Sequence, residues 1–584
     1  MTLVDRAFDN LERFGLVRKK LYIGYISIVD AQSIQITLAT EKTQNSGVYH
    51  GGSRYGKGEV GEFIVIESQQ SLLFGRITEV RLPDKERKDF TDSTNKSPNL
   101  DTIAFAQLLG TIPLDRLSIM QGVSAYPRIG DSVYSAPTEL VSLIPILHNK
   151  NLDEPQGSTI NIGHTSSSKE GQVSVKPEAL FGRHCAILGS TGGGKSWTTA
   201  HLVEETLELN SKVILIDPTS EYRNFRSDHI VHLHFGHPVY TANQSFPSSL
   251  PPSNFEESDF IALFDPAGKV QGPKLRAAIK SLRLAAAAPQ IAPDGFIRKI
   301  DQPKTEYLRL LADPHYAQIV DDPKQPFDFR QLTHQIEQEC VWPEAFVRGG
   351  RPGQKDPTKW GGESGEFTNC LPLVTRIEGI LASDAFSCVF KDQANPIDGI
   401  IDRFFDDPQK KLLRLCMSGV SYEYDARLVL TNALGRLLLN KARQGRFRSK
   451  PLLVVLDEAH HFIGKQIGTE DGNIKLNSFD LIAKEGRKYG LNICLATQRP
   501  RDLTEGVLSQ MGALIVHRLT NDRDRVLIER ACGEMDKSAM AFIPSLQPGE
   551  AALIGIDFPI PMTVQVKAPF FRPESDGPDY QNNW

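Results

Sequence analysis

The chain has 584 residues, of which 40% are hydrophobic and 23% charged, and its formal net charge is −5. This length leaves room for several domains, and the composition is that of an ordinary soluble globular protein. The negative net charge excludes an overall basic footprint for nucleic acid, so any such binding must come from a local patch or a channel.

The N-terminal stretch and the cysteines bear on location. The first residues, MTLVDRAFDNLERF, are charged and lack the apolar core of a secretion signal. No apolar run approaches the ~20 residues that cross a bilayer. Seven cysteines are scattered without a CxxC pair, which favours buried reduced thiols over disulfides or a metal site. We therefore expect a cytoplasmic protein with no membrane segment.

Short β segments separated by Gly, Asp and Ser dominate residues 21–137, among them LYIGYISIVD, SIQITLA, GEFIVIE, LLFGRITEV and TIAFAQLLGTI. No long helical period interrupts them. This pattern predicts a small antiparallel barrel in a domain at 1–150. The polar stretch Pro83 to Asp101 is expected to be a mobile loop within the barrel. Residues 151–172, rich in Ser, Gly and Asn, are expected to be a linker.

From Val173 onward, apolar strands such as CAILG, VILID and LLVVLDE alternate with helical periods such as LVLTNALGRLLLNKARQ. The alternation predicts an α/β core with a mostly parallel sheet covered by helices, built from residues 173–264 and 397–568. Within 265–396 the strands give way to helical segments and one long Gly- and Pro-rich loop, which predicts a helical insertion into the core. The tail, 569–584, shows no periodicity.

The stretch CAILGSTGGGKSW carries the first chemical signature. Gly189, four residues, and Gly194-Lys195-Ser196 match the phosphate-loop pattern, between an apolar strand and a helical pattern as the motif requires. The glycines let backbone N–H groups wrap a phosphate, Lys195 would reach the β and γ phosphates, and Ser196 would ligate Mg²⁺. The candidate nucleotide-binding residues are Gly189, Thr191, Gly192, Gly193, Gly194, Lys195, Ser196 and Trp197.

Paired acids follow another apolar strand in PLLVVLDEAHHF. Asp457 and Glu458 lie at the carboxyl end of that strand, where α/β sheets bind ligands. Asp457 would hold Mg²⁺ through water, and Glu458 would polarise the attacking water as general base. The alternative is a solvated pair of strand-end acids. His460 and His461 are interpreted as helix-face residues, because no further His, Cys or acid lies at ligand spacing.

The stretch KEGRKYGLNICLATQRP contains a third core strand that ends in Gln498. A neutral amide there can contact both the γ-phosphate and the attacking water. Arg487 precedes the strand. In ring ATPases an arginine in this place points into the neighbouring subunit's site and neutralises transition-state charge. The alternative for Arg487 is a solvated basic helix end.

Taken together, these stretches resemble the HerA family, in the HerA/FtsK group of ring-forming DNA pumps. The matching pieces are GRHCAILGSTGGGKS, ILIDPTSEY, LLVVLDEAHHF and EGRKYGLNICLATQRP. EGRKYG ahead of TQRP favours HerA, since TQRP alone is shared with FtsK. The resemblance covers the barrel outline and most of the core, but not residues 265–396 or the tail.

The resemblance implies a RecA-like P-loop ATPase core behind a barrel similar to one in the rotary ATP synthases, assembled as a homohexamer. Such a ring moves double-stranded DNA through its central channel and uses ATP and Mg²⁺. It makes Arg487 the finger acting in trans and Gln498 the sensor. Arg183, Asp217 and Glu221 occupy positions where the family has further nucleotide-site residues. The alternatives are a strand-edge charge for Arg183 and a helix cap for Glu221.

The family also implies a partner protein that docks on the barrel. It is either a NurA-like nuclease, in DNA end resection, or an antiviral defence effector, which is a sirtuin-like NADase or a nuclease. The predicted function is therefore an ATP-driven double-stranded DNA translocase or helicase that works with such a partner.

Two alternatives stay open. One is a ring that acts mainly as an assembly and regulatory platform for a defence effector. The other is an FtsK-like pump or conjugation coupling ATPase, which the missing membrane segments disfavour.

Two exposed loops are candidates for gripping DNA inside the ring, because the overall charge cannot attract phosphate. They are Arg348 to Lys359, with four basic residues, and Gly464 to Lys475, which follows the paired acids. The alternative for each is an exposed loop with no DNA contact.

Overall fold

The computed structural model of the chain describes residues 21–574 except 32, 40–47, 51–52, 69–70, 83–101, 114–117, 148–156, 167–168, 170, 243, 324, 348–350, 352, 392–393, 465, 468–473, 533–536 and 559. The predicted loop Pro83 to Asp101, the start of the predicted linker and the end of the tail lie outside the described residues. The chain divides into two compact units. The first unit is Met1–Ser211 with Asn492–Trp584, and the second unit is Lys212–Leu491.

The strands, in chain order, are β1 (Tyr22–Val29), β2 (Ile34–Leu38), β3 (Val48–His50), β4 (Ser53–Tyr55), β5 (Phe63–Glu67), β6 (Ser71–Arg81), β7 (Ile103–Pro113), β8 (Met120–Gln121), β9 (Ser132–Ser135), β10 (Ile160–Thr165), β11 (Gln172–Val175), β12 (Cys185–Leu188), β13 (Lys212–Asp217), β14 (Ile230–Gly236), β15 (Phe246–Pro247), β16 (Ala345–Phe346), β17 (Lys355–Asp356), β18 (Leu412–Gly419), β19 (Leu452–Leu456), β20 (Gln466–Ile467), β21 (Ile474–Lys475), β22 (Leu491–Thr497), β23 (Ala513–His517), β24 (Glu550–Gly555) and β25 (Met562–Val566).

The α-helices are α1 (Thr138–Leu147), α2 (Pro177–Phe181), α3 (Lys195–Leu207), α4 (Glu257–Phe264), α5 (Gly268–Ala287), α6 (Thr305–Ala312), α7 (Pro314–Asp321), α8 (Leu332–Glu339), α9 (Phe367–Ala382), α10 (Ile397–Asp406), α11 (Ala426–Arg443), α12 (Ser478–Glu485), α13 (Glu505–Leu508), α14 (Asp522–Cys532) and α15 (Lys537–Phe542). None of these described helices is both long and apolar enough to span a bilayer.

Six strands of the first unit close into a barrel. Their order is β2-β1-β9-β5-β6-β7, and β7 pairs back to β2, with Ala104 opposite Ile36. All neighbouring pairs are antiparallel. Inward-facing apolar side chains such as Ile26, Ile64 and Leu73 form its buried core. The predicted barrel is confirmed, and it includes β9, a four-residue strand that the pattern did not indicate.

A second sheet in the first unit carries the phosphate loop. Its strands follow the order β11-β10-β25-β24-β23-β12-β22. Strand β12 is parallel to both β22 and β23, with Ile187 opposite Ala496 and Ile515. The pairs from β23 outward to β11 are antiparallel. The core is mostly parallel as predicted, and the antiparallel pairs of this outer part are a feature that the pattern did not indicate.

Part of the predicted linker also needs correction. Residues 160–165 form β10, which pairs with β25 and continues the sheet. Ile160 and Ile162 alternate on one face of this strand, and both are fully buried. The polar Ser- and Gly-rich flanks hid this short alternation. The other domain boundaries stay predictions.

The second unit contains a fully parallel sheet in the order β19-β13-β18-β14-β15. Every residue of β13 and β19 is buried, as expected for strands covered on both faces. Helices α5 to α9 fall within the predicted insertion, and part of it has its own apolar core around Leu284, Ile297 and Leu310. The predicted α/β core with a helical insertion is confirmed.

The cysteines agree with the thiol interpretation where the structure describes them. Cys185, Cys340, Cys370, Cys388, Cys416 and Cys494 are buried and form no disulfide.

Candidate functional site

The phosphate loop connects β12 to α3 in the first unit. Gly192 has φ +76° and Gly194 has φ +112°, conformations that favour glycine. A methyl group on Gly192 would meet nothing within 4 Å, so the loop faces open space at this point. The N-terminus of α3 begins at Lys195, which is 3% exposed. A turn with open backbone at a helix N-terminus fits a phosphate group.

His517, at the end of β23, lies against the phosphate loop. A methyl group on Gly189 would lie 2.6 Å from its Cβ, and one on Gly194 would lie 3.3 Å from its Cε1. The imidazole is fully buried. Its Nδ1 lies 2.8 Å from the Glu550 carbonyl oxygen, and its Nε2 lies 2.8 Å from Thr198 Oγ1. Because a carbonyl only accepts, Nδ1 carries the proton and Nε2 accepts from the threonine hydroxyl.

The protonation state of His517 follows from its surroundings. Burial lowers its pKa to about 4, and the charge of Lys195 acts in the same direction. The imidazole is therefore neutral at physiological pH. It supports the loop without adding charge beside the lysine.

Gln498 follows β22, and the structure brings it to the loop. Its Oε1 accepts a hydrogen bond of 2.7 Å from Thr191 Oγ1. Neighbouring contacts tie the same loop to the sheet: Gly189 N donates to Thr497 O over 3.3 Å, and Ser190 Oγ donates to Arg518 O over 2.9 Å. A change at the loop can thus reach Gln498 through a single hydroxyl. Its role as a sensor stays a prediction.

The described part of the tail runs along α3. Glu204 accepts hydrogen bonds from the backbone N–H groups of Phe570 and Phe571, at 2.9 and 2.6 Å. The guanidinium carbon of Arg572 lies 5.7 Å from the ring centroid of Trp197. Trp197 therefore contacts the tail, and its predicted nucleotide contact is untested.

Arg183 lies ahead of β12, whereas the phosphate loop follows that strand. Its Nε is 3.6 Å from Asp557 Oδ1. This placement is that of the strand-edge charge, and it does not bring Arg183 to the phosphate loop of its own chain.

In the second unit, Asp457 and Glu458 follow β19. Asp457 is fully buried, and its backbone N–H donates to Ile216 O over 3.2 Å. Glu458 has φ 47° and ψ 43°, a left-handed conformation that is uncommon for residues other than glycine and typical of functional sites. His460 Nδ1 lies 3.3 Å from Glu458 Oε2, so this histidine contacts the predicted base.

Asp217, at the end of β13, forms a buried ion pair with Arg414 of β18. Arg414 Nε and Nη2 lie 2.8 and 2.7 Å from Asp217 Oδ2, and both side chains are fully buried. Asp217 also accepts from the backbone N–H groups of Glu221 and Tyr222, each at 3.1 Å. Asp217 therefore shapes the turn that follows β13. We call residues 217–222 together with Asp457 and Glu458 the acid turn.

Glu221 lies half-buried in the acid turn, where Thr219 Oγ1 donates to its Oε1 over 3.3 Å. The residue belongs to a turn, so the helix-cap alternative was wrong.

Arg487 is exposed in the short turn Gly486–Tyr489 that follows α12. That placement fits both a finger acting on a neighbouring subunit and a solvated basic residue. Of the two candidate DNA loops, Arg348 to Lys359 contains β17, which pairs with β16, and Gly464 to Lys475 contains the paired strands β20 and β21. Arg348 lies outside the described residues.

Sequence reasoning missed His517, Arg414 and Tyr222. Arg414 left a signal, because it is a lone charge inside the apolar strand LLRLCMS and a buried charge needs a partner. His517 and Tyr222 left none, since each contact depends on which strands become neighbours.

Residues 160–325, which include the phosphate loop and β13, match the family described as Helicase HerA, central domain. The DNA double-strand break repair helicase HerA of Pyrococcus furiosus is 21% identical over 540 residues, covering 87% of each chain. The chain is similar to the HerA family of helicases over this region and over most of its length. A probable helicase of Methanocaldococcus jannaschii is 24% identical to this chain over 476 residues, covering 80% of this chain and 79% of the relative. Among solved structures, VirB4 of Thermoanaerobacter pseudethanolicus has a TM-score of 0.43 and 14% identity, covering 72% of this chain and 98% of that one.

Proposed function

We propose that this chain is a HerA-family ATPase, an ATP-driven motor on double-stranded DNA that assembles as a homohexameric ring. The observation that carries the proposal is the phosphate loop between β12 and α3, with buried Lys195 at the helix N-terminus and Gln498 hydrogen-bonded to Thr191. The curated relatives that are named DNA double-strand break repair helicases support DNA as the second substrate.

In this proposal Lys195 clamps the β and γ phosphates of ATP. Glu458 takes a proton from the attacking water, and Gln498 reports whether the γ-phosphate is present. Arg487 acts on the nucleotide of the neighbouring subunit, where its planar fork suits phosphate. Turnover then depends on the ring as well as on the single chain.

Mg²⁺ fits the donor atoms that the chain offers. Ser196 supplies a hydroxyl oxygen and Asp457 a carboxylate, the oxygen ligands that this ion takes together with water and substrate phosphates. Among the described residues, no group of three or more His, Cys, Asp or Glu could hold a metal ion by itself. Bound Mg²⁺ would neutralise phosphate charge during hydrolysis.

The test is the steady-state ATPase rate of the purified chain with and without linear duplex DNA. We expect DNA to stimulate wild-type turnover. Glu458→Ala should still bind ATP but turn it over ~10²–10⁴-fold more slowly, because it lacks the general base. Lys195→Ala serves as the control that loses nucleotide binding. A wild-type rate in Glu458→Ala would contradict the assignment of the base.

The proposed partner is a NurA-like nuclease or a defence effector that docks on the barrel. If DNA leaves the ATPase rate unchanged while a co-purified effector raises it, the chain is a regulatory platform and the motor proposal is wrong. If DNA alone raises the rate, or DNA and partner are both needed, the motor proposal stands.

A further inference from the structure

Tyr222 is a fully buried tyrosine whose hydroxyl reaches Asp457. Its phenolic O–H donates to Asp457 Oδ2 over 3.1 Å, and neither side chain is exposed to solvent. The contact joins residues 235 positions apart, which lie in the segments that follow the neighbouring parallel strands β13 and β19. The ring packs edge-on against Phe225, with 5.8 Å between the ring centroids.

The backbone that carries Tyr222 is itself fixed. Asp217 accepts the N–H groups of Glu221 and Tyr222, and Arg414 holds Asp217 through the buried ion pair. Arg414 Nη2 also donates to Ser220 Oγ over 3.0 Å. Ser220 has φ +68°, so the ion pair stabilises a turn that the backbone alone disfavours. The backbone position from which the Tyr222 ring reaches Asp457 is therefore held by this network.

A carboxylate rotates readily about its last side-chain bond, because that torsion has broad minima. A hydrogen bond to one oxygen from a rigid neighbour removes this freedom. Partners of this kind orient metal-binding carboxylates in proteins, and their loss typically weakens metal affinity 10–100-fold.

We propose that Tyr222 is a positioning residue that orients the carboxylate of Asp457 toward hydrated Mg²⁺. Asp217 and Arg414 then serve the acid turn and do not contact the nucleotide. The inference rests on the proposed function, which gives Asp457 its Mg²⁺ role. The competing explanation is a core tyrosine that donates to the nearest acceptor and has no influence on the ion.

Tyr222→Phe tests the proposal, because it removes one oxygen and keeps the ring. The full-length protein, loaded with a fluorescent non-hydrolysable ATP analogue, is titrated with MgCl₂. The measured quantity is the Mg²⁺ concentration at which analogue affinity reaches half its change. We expect this midpoint to rise roughly 10-fold in Tyr222→Phe, with unchanged analogue affinity in EDTA. Tyr240→Phe is the matched control, since Tyr240 is an exposed tyrosine of the same unit, and it should leave the midpoint unchanged.

Two further variants separate the ways in which the idea can fail. Asp457→Asn must shift the midpoint; if it does not, the Mg²⁺ role of Asp457 in the proposed function is wrong. If Asp457→Asn shifts the midpoint and Tyr222→Phe does not, the role of Tyr222 is refuted and the proposed function survives. Phe225→Leu loosens the packing of the tyrosine ring but keeps its hydroxyl. An equal shift in Phe225→Leu and Tyr222→Phe would reduce Tyr222 to a packing residue, and a shift in Tyr222→Phe alone supports the proposal.

Discussion

The phosphate loop and the acid turn are both supported by buried side chains, but by opposite means. The loop rests on a neutral imidazole, His517, which contacts its glycines and a threonine hydroxyl. The acid turn rests on a buried ion pair between Asp217 and Arg414. A loop that receives a polyanion gains from a neutral support, because a carboxylate there would compete with phosphate for Lys195. A turn with several buried carboxylates needs a cation nearby, because buried carboxylates repel one another.

The two supports should also differ in what their removal damages. Losing the ion pair leaves a buried charge, which is a problem for folding. Losing the imidazole leaves a cavity and unpaired polar groups beside the substrate, which is a problem for binding. The largest expected effect is on folding stability, followed by ligand affinity and then by stability in acid.

Arg414→Leu should have the largest effect. It leaves Asp217 buried without its partner, so the free energy of unfolding of the second unit should fall by about 3–5 kcal/mol. The measurement is denaturant unfolding followed by tryptophan fluorescence. The matched control is Arg309→Leu, an exposed arginine paired with Glu306, for which we expect no measurable change because exposed ion pairs contribute little to stability. An equal free energy of unfolding in the two variants would contradict the idea that the ion pair supports the acid turn.

His517→Ala should weaken ATP binding by roughly 10-fold, through the lost contact with the glycines and the unpaired Thr198 hydroxyl. His517→Gln can donate to the Glu550 carbonyl and accept from Thr198, so it should retain most of the affinity. Equilibrium binding of a fluorescent ATP analogue measures both variants. Wild-type affinity in His517→Ala would show that the loop holds its shape without the imidazole.

Acid should destabilise both units through histidines of the same kind. Burial, assisted by Arg414, lowers the pKa of His232 to about 4, as burial does for His517. The unfolded chain, with a histidine pKa near 6.5, binds more protons than the folded one between pH 6.5 and 4. Stability is therefore fully present above pH 6.5 and falls on acidification through that window, by about 1 kcal/mol per histidine between pH 7 and 5.5. Unfolding of His517→Gln at both pH values should show a loss that is about 1 kcal/mol smaller than that of the wild type. An undiminished loss would place the acid sensitivity elsewhere.

The parts of the site that could be predicted are those written in contiguous residues. The eight residues from Gly189 to Ser196 predict the phosphate loop, its lysine and the start of the helix that follows. Asp457 and Glu458 predict two acids at the end of one strand. The strand endings also led to Gln498, because the carboxyl ends of parallel strands meet at one edge of a sheet.

What could not be predicted depends on the pairing of distant strands. Thr198 and His517 meet across 319 positions, and Tyr222 and Asp457 across 235. No periodic pattern in the sequence indicates that these residues are close in space. Arg183 was assigned to the nucleotide site by the family resemblance alone. It precedes the phosphate-loop strand while the loop follows that strand, and its nucleotide role stays a prediction.

Glu458 occupies a left-handed backbone conformation that glycine or asparagine would adopt with less strain. A glutamate there costs about 1 kcal/mol or more of folding stability, which the surrounding buried strands offset. Selection for a stable fold alone would drift away from this residue. Under the proposed role of Glu458 as general base, folding stability and hydrolysis favour different residues at this position. Variants that lose hydrolysis here are expected to gain folding stability.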